Sequence, residues 1–205
     1  MITSRKDLQE YLAADYEAYK RNAGVKGLFR HLMSSPISDQ RYIWRYIKTL
    51  RYAEYWINKY NSYRTPMALW YLHKLRKYGR ITGFQIHPNT LGKGVQIWHY
   101  GTIIMNSTTR IGDNCIIRPD VLIGHKTAGE QAARIGNNVE INSGARIIGD
   151  ITIGDDVVIG VNAVVNKSIP SHCIVAGVPA TIIKVRNSSN EKWSNLNVSH
   201  QSGVR

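Results

Sequence analysis

The sequence predicts a mainly β chain, a parallel β-helix of six-residue repeats preceded by an α-helical segment. Three observations predict it. Aliphatic residues recur every six positions in the second half of the chain. A second, smaller apolar set follows each of them four residues later. Upstream of residue 86 that texture is absent, and helical spacing with Pro and Gly punctuation replaces it.

The elements follow in order. Residues 4–34 read as helical: Ser4 can cap, Asp7 stands three residues on in the capping-box position, and Tyr11, Leu12 and Ala14 recur at helical spacing. Ser34-Ser35-Pro36 punctuates. A second helix is expected from about Asp39 to Asn61 and a third from about Pro66 to Tyr78, where Tyr78-Gly79-Arg80 and then Thr82-Gly83 break the pattern.

Beyond residue 86 the repeat set is Ile135, Ile141, Ile147, Ile153, Ile159 and Val165, with Ile111, Ile117 and Ile123 in phase upstream. Val139, Ala145, Ile151, Val157 and Ala163 hold the position four residues after, as do Cys115 and Val121. A helix gives no reason for a period of six. A chain that turns a corner every six residues does: three flat faces make a coil of 18, the aliphatic position points inward, and coils stack about 4.8 Å apart with paired backbones. The corners need left-handed backbone, which Gly, Asn and Asp tolerate. Asp113-Asn114, Asn137-Asn138, Ser143-Gly144, Asp155-Asp156 and Asn162 supply it. The strict phase argues against a β-sandwich with frequent turns. Between Ile123 and Ile135 the register is interrupted by His125–Arg134, read as a loop extruded from the coil. The expected organisation is a helical segment over 1–84, the β-helix over 85–186 and a tail over 187–205.

Composition bounds the class. The 205 residues suit one compact domain with an appended segment, and two cysteines, Cys115 and Cys173, make no disulfide framework. The first residues lack the apolar run of a secretory signal, and no stretch approaches a spanning helix, so a reducing, cytoplasmic address is expected. The net charge of +13 is uneven: residues 1–86 carry 16 Lys/Arg against 6 Asp/Glu, the remainder 11 against 8. Residues 40–80 hold ten Lys/Arg, one acid (Glu54) and 11 of the 19 aromatics. Arg41, Arg45, Lys48 and Arg51 fall on one helical face, with Trp44, Ile47, Leu50 and Trp56 elsewhere around the helix. Such a segment suits either the headgroup zone of a membrane, near a lipid-linked glycan, or a helical cap on the solenoid with its charges solvated. No nucleic-acid motif is present, and no nucleic-acid partner is expected.

The segment from Gln85 to Arg186 resembles the serine acetyltransferase-like branch of the hexapeptide-repeat acyltransferases. The residues that carry the resemblance are Ile97-Trp98-His99-Tyr100-Gly101-Thr102-Ile103-Ile104-Met105-Asn106, Ile135-Gly136-Asn137-Asn138-Val139, Ile148-Gly149-Asp150-Ile151-Thr152-Ile153-Gly154 and the closing Ala176-Gly177-Val178-Pro179-Ala180. The resemblance implies a left-handed β-helix, a homotrimer with each site between neighbouring β-helices, and acetyl-CoA as donor to a hydroxyl. It makes His99 the catalytic base. A neutral imidazole suits that task near pH 7, taking the acceptor's proton and returning one to the CoA thiolate. The resemblance also implies that Asn137, Ser143, Gly144, Ala145, Val161 and Ala163 line the pantetheine groove through their backbones. Lys167, Lys184 and Arg186 are then expected to meet the anionic nucleotide end. Trp98, Tyr100 and His125 are the candidates for contact with the acceptor, and no metal is expected. Cys115, on the inward phase, reads as core.

Serine-specific members of that branch carry an aspartate just before the base, where this chain has Trp98, and a His-Pro pair in the extruded loop, matched here by Ala132 and Ala133. The carboxylate that orients their base falls at the neutral Gln85. An indole beside the base suits a sugar face. The expected acceptor is therefore a sugar hydroxyl of capsular, exopolysaccharide or lipopolysaccharide units, with serine as the alternative. Two other classes share the solenoid. A γ-type carbonic anhydrase needs three converging histidines, and His87, His99 and His125 lack the paired spacing. A non-catalytic solenoid is disfavoured by the His99 motif together with the lysines of the closing coil.

Overall fold

In the computed structural model the described residues are 1–22, 38–188 and 191–195. Three helices precede the strands: α1 (Arg5–Asn22), α2 (Asp39–Tyr60) and α3 (Pro66–Thr82). The α1 start is a reciprocal capping box: Ser4 Oγ accepts from Asp7 N at 3.1 Å, and Asp7 Oδ2 accepts from the Thr3 and Ser4 N–H groups at 2.9 Å. Those donors hold the Asp7 carboxyl well below the usual carboxylate range. The helical reading past Asn22 falls outside the described residues. The third helix runs four residues beyond the expected stop at Tyr78. Gly79 does not end it, because a side chain there would meet the Phe84 carbonyl at 2.6 Å; the glycine lets the helix press on the first strand. Gly83, left-handed at φ 83°, makes the real cap.

The remainder is a left-handed parallel β-helix of triangular section. Its first face stacks β1 (Phe84–Gln85), β3 (Ile103–Met105), β6 (Val121–Gly124), β9 (Arg146–Ile148) and β12 (Val164–Val165). The second face stacks β4 (Arg110–Ile111), β7 (Arg134–Ile135) and β10 (Thr152–Ile153). The third stacks β2 (Gln96–Ile97), β5 (Ile116–Ile117), β8 (Glu140–Ile141), β11 (Val158–Ile159) and β13 (Cys173–Gly177). Two antiparallel strands, β14 (Ala180–Val185) and β15 (Ser194–Asn195), extend that face. Pairing within the coils is parallel, and the repeat residues align: Ile97, Ile117, Ile141, Ile159 and Val175 form one buried rung row. Every member of both apolar sets read from the sequence is buried. The core is therefore a close-packed column made chiefly of β-branched and small apolar side chains, with the buried Thr109 a polar member of the smaller row.

The corners take the conformation their residues favour. Asn114, Asn138, Asp156 and Asn162 have φ of 55–57°, and Gly144 has φ 77°. On the edge between the second and third faces the Asx side chains also link the coils: Lys93 N donates to Asp113 Oδ1, Asp113 N to Asn137 Oδ1, and Asn137 N to Asp155 Oδ1, at 2.6–2.9 Å. Each side-chain oxygen thus satisfies a corner N–H of the coil before it.

Helix α2 caps the open N-terminal end. Ile43, Tyr46, Ile47 and Leu50 join the same core cluster as Phe84, Ile86, Leu91 and Val95. The Tyr46 hydroxyl both accepts from Ile86 N and donates to Ile86 O. Arg51 departs from its expected place on a basic surface face. It is fully buried, bonded to Asp15 of α1, Glu54 of α2 and the carbonyls of Leu91 and Gly92 in the first coil. Its fork geometry, with five donors, is what lets one side chain join three elements. The aromatics of 40–80 serve mainly the cap: Tyr46 and Tyr55 are buried, and Trp44, Tyr52, Trp56, Tyr71 and Tyr78 pack partly buried against the cores. Among the described residues no helix is long and apolar enough to cross a membrane.

Candidate active site

His99 sits on the edge between the third and first faces, just after β2. Eight residues separate the paired core positions Ile97 and Met105, whereas six separate their partners Ile117 and Ile123 in the next coil. The corner that holds His99 is thus two residues longer than the corner beneath it. The expansion carries the imidazole outward, and its side chain is 67% exposed. The sequence reading placed only one interruption in the register, at 125–134, and missed this one. Its signal was present: Ile97 lies 20 residues before Ile117 rather than 18.

The expanded corner has neighbours from two directions. From the next coil comes Arg118, whose guanidinium carbon lies 5.9 Å from the Trp98 ring centre. Arg118 Nη1 also donates to Glu140 Oε1 and to Asn142 Oδ1. Trp98, Arg118 and Asn142 each follow a paired isoleucine, so they form a row along the edge beside the base. From the cap comes the first turn of α2. Asp39 Oδ2 lies 3.7 Å from His99 Nδ1, and Gln40 Nε2 donates to the Trp98 carbonyl. Tyr42 meets Tyr100 edge-on, with ring centres 6.4 Å apart. Burial, with Asp39 and Tyr42 nearby, pushes the Tyr100 phenol up. The Trp98 indole N–H is buried and finds no hydrogen-bond partner among the described residues.

The other expected site residues divide among three edges. Ser143, Gly144, Ala145, Val161 and Ala163 follow paired core positions of the third face and so share the His99 edge. Val161 is exposed, whereas the Ala145 and Ala163 methyl groups are buried, leaving only backbone to face a ligand. Asn137 stands on the Asx edge, where its Oδ1 already serves Asp113 N. Lys167 and His125 lie on the remaining edge, between the first and second faces; His125 Nδ1 is 2.8 Å from Asn106 Nδ2. Lys184 is half-buried on β14 opposite Ile174. Arg186 follows β14, 3.8 Å from Asp156 and 4.2 Å from the Trp193 ring centre. Within one chain, then, His99 is brought together with the 143–145 and 161–163 corners and not with Asn137, Lys167 or His125.

The extruded loop is tied down where the resemblance aligns a His-Pro pair. Ala132 N donates to Thr108 Oγ1 at 2.8 Å, and Ala132 and Ala133 are both buried. Gln85 is exposed on β1, paired with Ile104 of the first face. Cys115 is buried, and burial pushes its thiol up to about 12; the buried Cys173 thiol is raised for the same reason. Among the described residues no group of three His, Cys, Asp or Glu side chains is placed to hold a metal ion. Asp39, Gln40 and Arg118 were not found from sequence. The first two are 58 and 60 residues along the chain from their partners Trp98 and His99, and the corner expansion hid that Arg118 stands beside Trp98, 20 rather than 18 residues after it.

Residues 132–167 match the family model of the bacterial transferase hexapeptide, six repeats. The likeness of the longer chain is to serine acetyltransferases. A serine acetyltransferase of Synechococcus elongatus is 34% identical over 132 residues, covering 63% of this chain and 52% of that protein. One from Staphylococcus xylosus is 42% identical over 107 residues, 51% of this chain and 50% of its own length. The chain spans about half the length of the curated relatives it matches. Among solved structures, serine acetyltransferase from Brucella abortus strain S19 is 29% identical with a TM-score of 0.70, covering 87% of this chain and 69% of that one. The same enzyme in complex with coenzyme A gives 27% identity and a TM-score of 0.71, with 87% and 68% covered.

Proposed function

We propose that this chain transfers an acetyl group from acetyl-CoA to an acceptor hydroxyl, with His99 as the general base. The observation that carries the reading is the expanded corner, which presents an exposed imidazole on the same edge as the 143–145 and 161–163 corners. The likeness to transferases solved with coenzyme A supports the donor.

In this mechanism the neutral imidazole removes the acceptor hydroxyl proton as the oxygen attacks the thioester carbonyl carbon. A new C–O bond forms, and the carbonyl electrons move to an oxyanion held by backbone N–H groups of the corner. Collapse breaks the C–S bond, and the imidazolium returns the proton to the departing thiolate. No covalent enzyme intermediate is needed. Ser143, Gly144, Ala145, Val161 and Ala163 are proposed to line the pantetheine groove. Lys167 and Asn137 stand on other edges, and Lys184 and Arg186 lie on and just after β14, so all four would serve the donor through a neighbouring β-helix or at its nucleotide end. That arrangement fits the homotrimer we infer, in which one chain's edge meets the next chain's.

Serine is the acceptor named for the relatives, and it is the first reading of the acceptor here. A sugar hydroxyl of a surface glycan is the second, and a specific observation favours it. Trp98 and Tyr100 flank the base with aromatic surface, while Ala132 and Ala133 are buried and offer no polar group to an amino acid. The test is thiol release from acetyl-CoA with L-serine and with a panel of sugars and oligosaccharides. Serine turnover supports the first reading, and turnover confined to sugars moves the acceptor to the second. Turnover with neither overturns the reading. His99→Ala is expected to lower kcat by about 10²–10⁴ with the fold intact, since the side chain is exposed.

A further inference from the structure

The base needs a partner to fix its tautomer, and the position at which the resemblance puts that carboxylate holds the neutral Gln85. We propose that Asp39, the first residue of α2, supplies it instead: a positioning carboxylate that holds His99 Nδ1–H and leaves Nε2 to face the acceptor. This rests on the reading of His99 as the base.

Three contacts argue that the arrangement is built rather than a passing surface encounter. Asp39 Oδ2 addresses Nδ1 specifically, at 3.7 Å. The neighbouring Gln40 side chain donates to the Trp98 carbonyl, so the helix turn bearing Asp39 is hydrogen-bonded to the backbone just before the base. One residue beyond the base, Tyr100 meets Tyr42 of the same helix. The turn is therefore clamped on both sides of His99. Farther along α2, buried Ile43, Tyr46 and Ile47 seat the helix in the core.

A separation of 3.7 Å is a charge–charge contact and exceeds a hydrogen bond. Both side chains are partly exposed, at 67% and 39%, and a small torsional change closes the gap. Catalytic hydrogen bonds are often long in the free enzyme and tighten once substrate binds. The lengthened corner is consistent with this: two extra residues lift His99 off the coil and toward the helix that carries the acid.

Asp39 meets the imidazole directly; around the same corner stand Tyr100, which meets Tyr42 of α2, and Arg118 of the next coil, which lies over Trp98. Asp39 is the one anion among them. A carboxylate at Nδ1 holds the ring in the tautomer that leaves Nε2 free for the acceptor, so its removal loosens both the tautomer and the orientation of the base.

The experiment compares wild type, Asp39→Asn, Asp39→Glu and His99→Ala by thiol release from acetyl-CoA with the best acceptor found above, each checked by thermal melting. Asp39→Asn is expected to lower kcat about 10–100-fold and to leave KM for acetyl-CoA within about twofold. Asp39→Glu, longer by one methylene, should restore part of kcat. The proposal is overturned if Asp39→Asn keeps kcat unchanged while His99→Ala is inactive. It is equally overturned if Asp39→Asn loses turnover with no rescue by glutamate, since the residue is then structural. If His99→Ala stays active, the reading of the base falls and this proposal falls with it.

Discussion

Replacing Arg51 by methionine removes a buried side chain that joins α1, α2 and the first coil. The wild-type guanidinium donates from Nε to Asp15 Oδ2 at 2.8 Å, from Nη1 to Glu54 Oε2 at 3.1 Å and to the Leu91 carbonyl at 2.9 Å, and from Nη2 to Asp15 Oδ1 and the Gly92 carbonyl. All three charged side chains are buried. Methionine fills much of the volume, so the loss is chiefly electrostatic. Asp15 keeps the Gly94 and Val95 N–H donors, and Glu54 keeps that of Asn89, but two carboxylates and two carbonyls lose their cation. Breaking a buried pair in this way costs about 3–5 kcal/mol, a large share of a total stability of about 5–15 kcal/mol. At roughly 2–4 °C per kcal/mol for a chain of this size, Tm should fall by about 6–20 °C in calorimetry or circular dichroism. The triple variant Asp15→Asn, Arg51→Met, Glu54→Gln should recover much of the loss, because no uncompensated charge stays buried.

A pH series adds a sign. Burial pushes the Glu54 carboxyl above its ordinary 4.5, against the opposing pull of Arg51 and the Asn89 N–H. Without Arg51 the shift grows. Between the unfolded value and the raised folded value the native state then binds the extra proton, so stability is lost as pH rises through that window and regained on acidification. The deficit of Arg51→Met at pH 7 should therefore shrink toward pH 5. A loss under about 1 kcal/mol, or a deficit indifferent to pH, would refute the claim that this triad anchors the cap.

Gly144→Ala should destabilise by about 1–3 kcal/mol, because the backbone there is left-handed and the new methyl would stand 1.9 Å from Asn162 Oδ1. Chemical denaturation reads this directly, and a neutral result would mean that the corner relaxes freely. Cys115 and Cys173 should resist a thiol reagent in the native protein and both react on unfolding, since each is buried with its thiol raised in pKa. Labelling at the unfolded rate in native buffer would contradict the packing described for both rows.

The sequence alone determined the coil. A period of six with a four-residue offset admits one way of burying its aliphatic rows, and Asn, Asp and Gly at the intervals mark where the chain turns. Every repeat residue from Ile111 to Val165 faces the interior for that reason. The capping box at Ser4 and Asp7 was equally legible, because its partners are three residues apart. His99 could be singled out by resemblance, since its neighbours in the chain carry the motif. What lies across the chain could not be read this way. The basic face of residues 40–51 looked uniform, yet the fold turns Arg51 inward, where Asp15 and two backbone carbonyls compensate its charge, an arrangement visible only once three elements meet. The third helix continues through Gly79 because a strand packs there, a fact of tertiary contact and not of propensity. The corner at His99 is long by two residues, and only strand pairing reveals which isoleucine is the partner of which. Asp39 stands beside His99 because α2 docks on the open end of the solenoid. A local pattern records what a residue does with its near neighbours; the meeting of two groups 60 positions apart is decided by how the cap and the coil bury their apolar faces together.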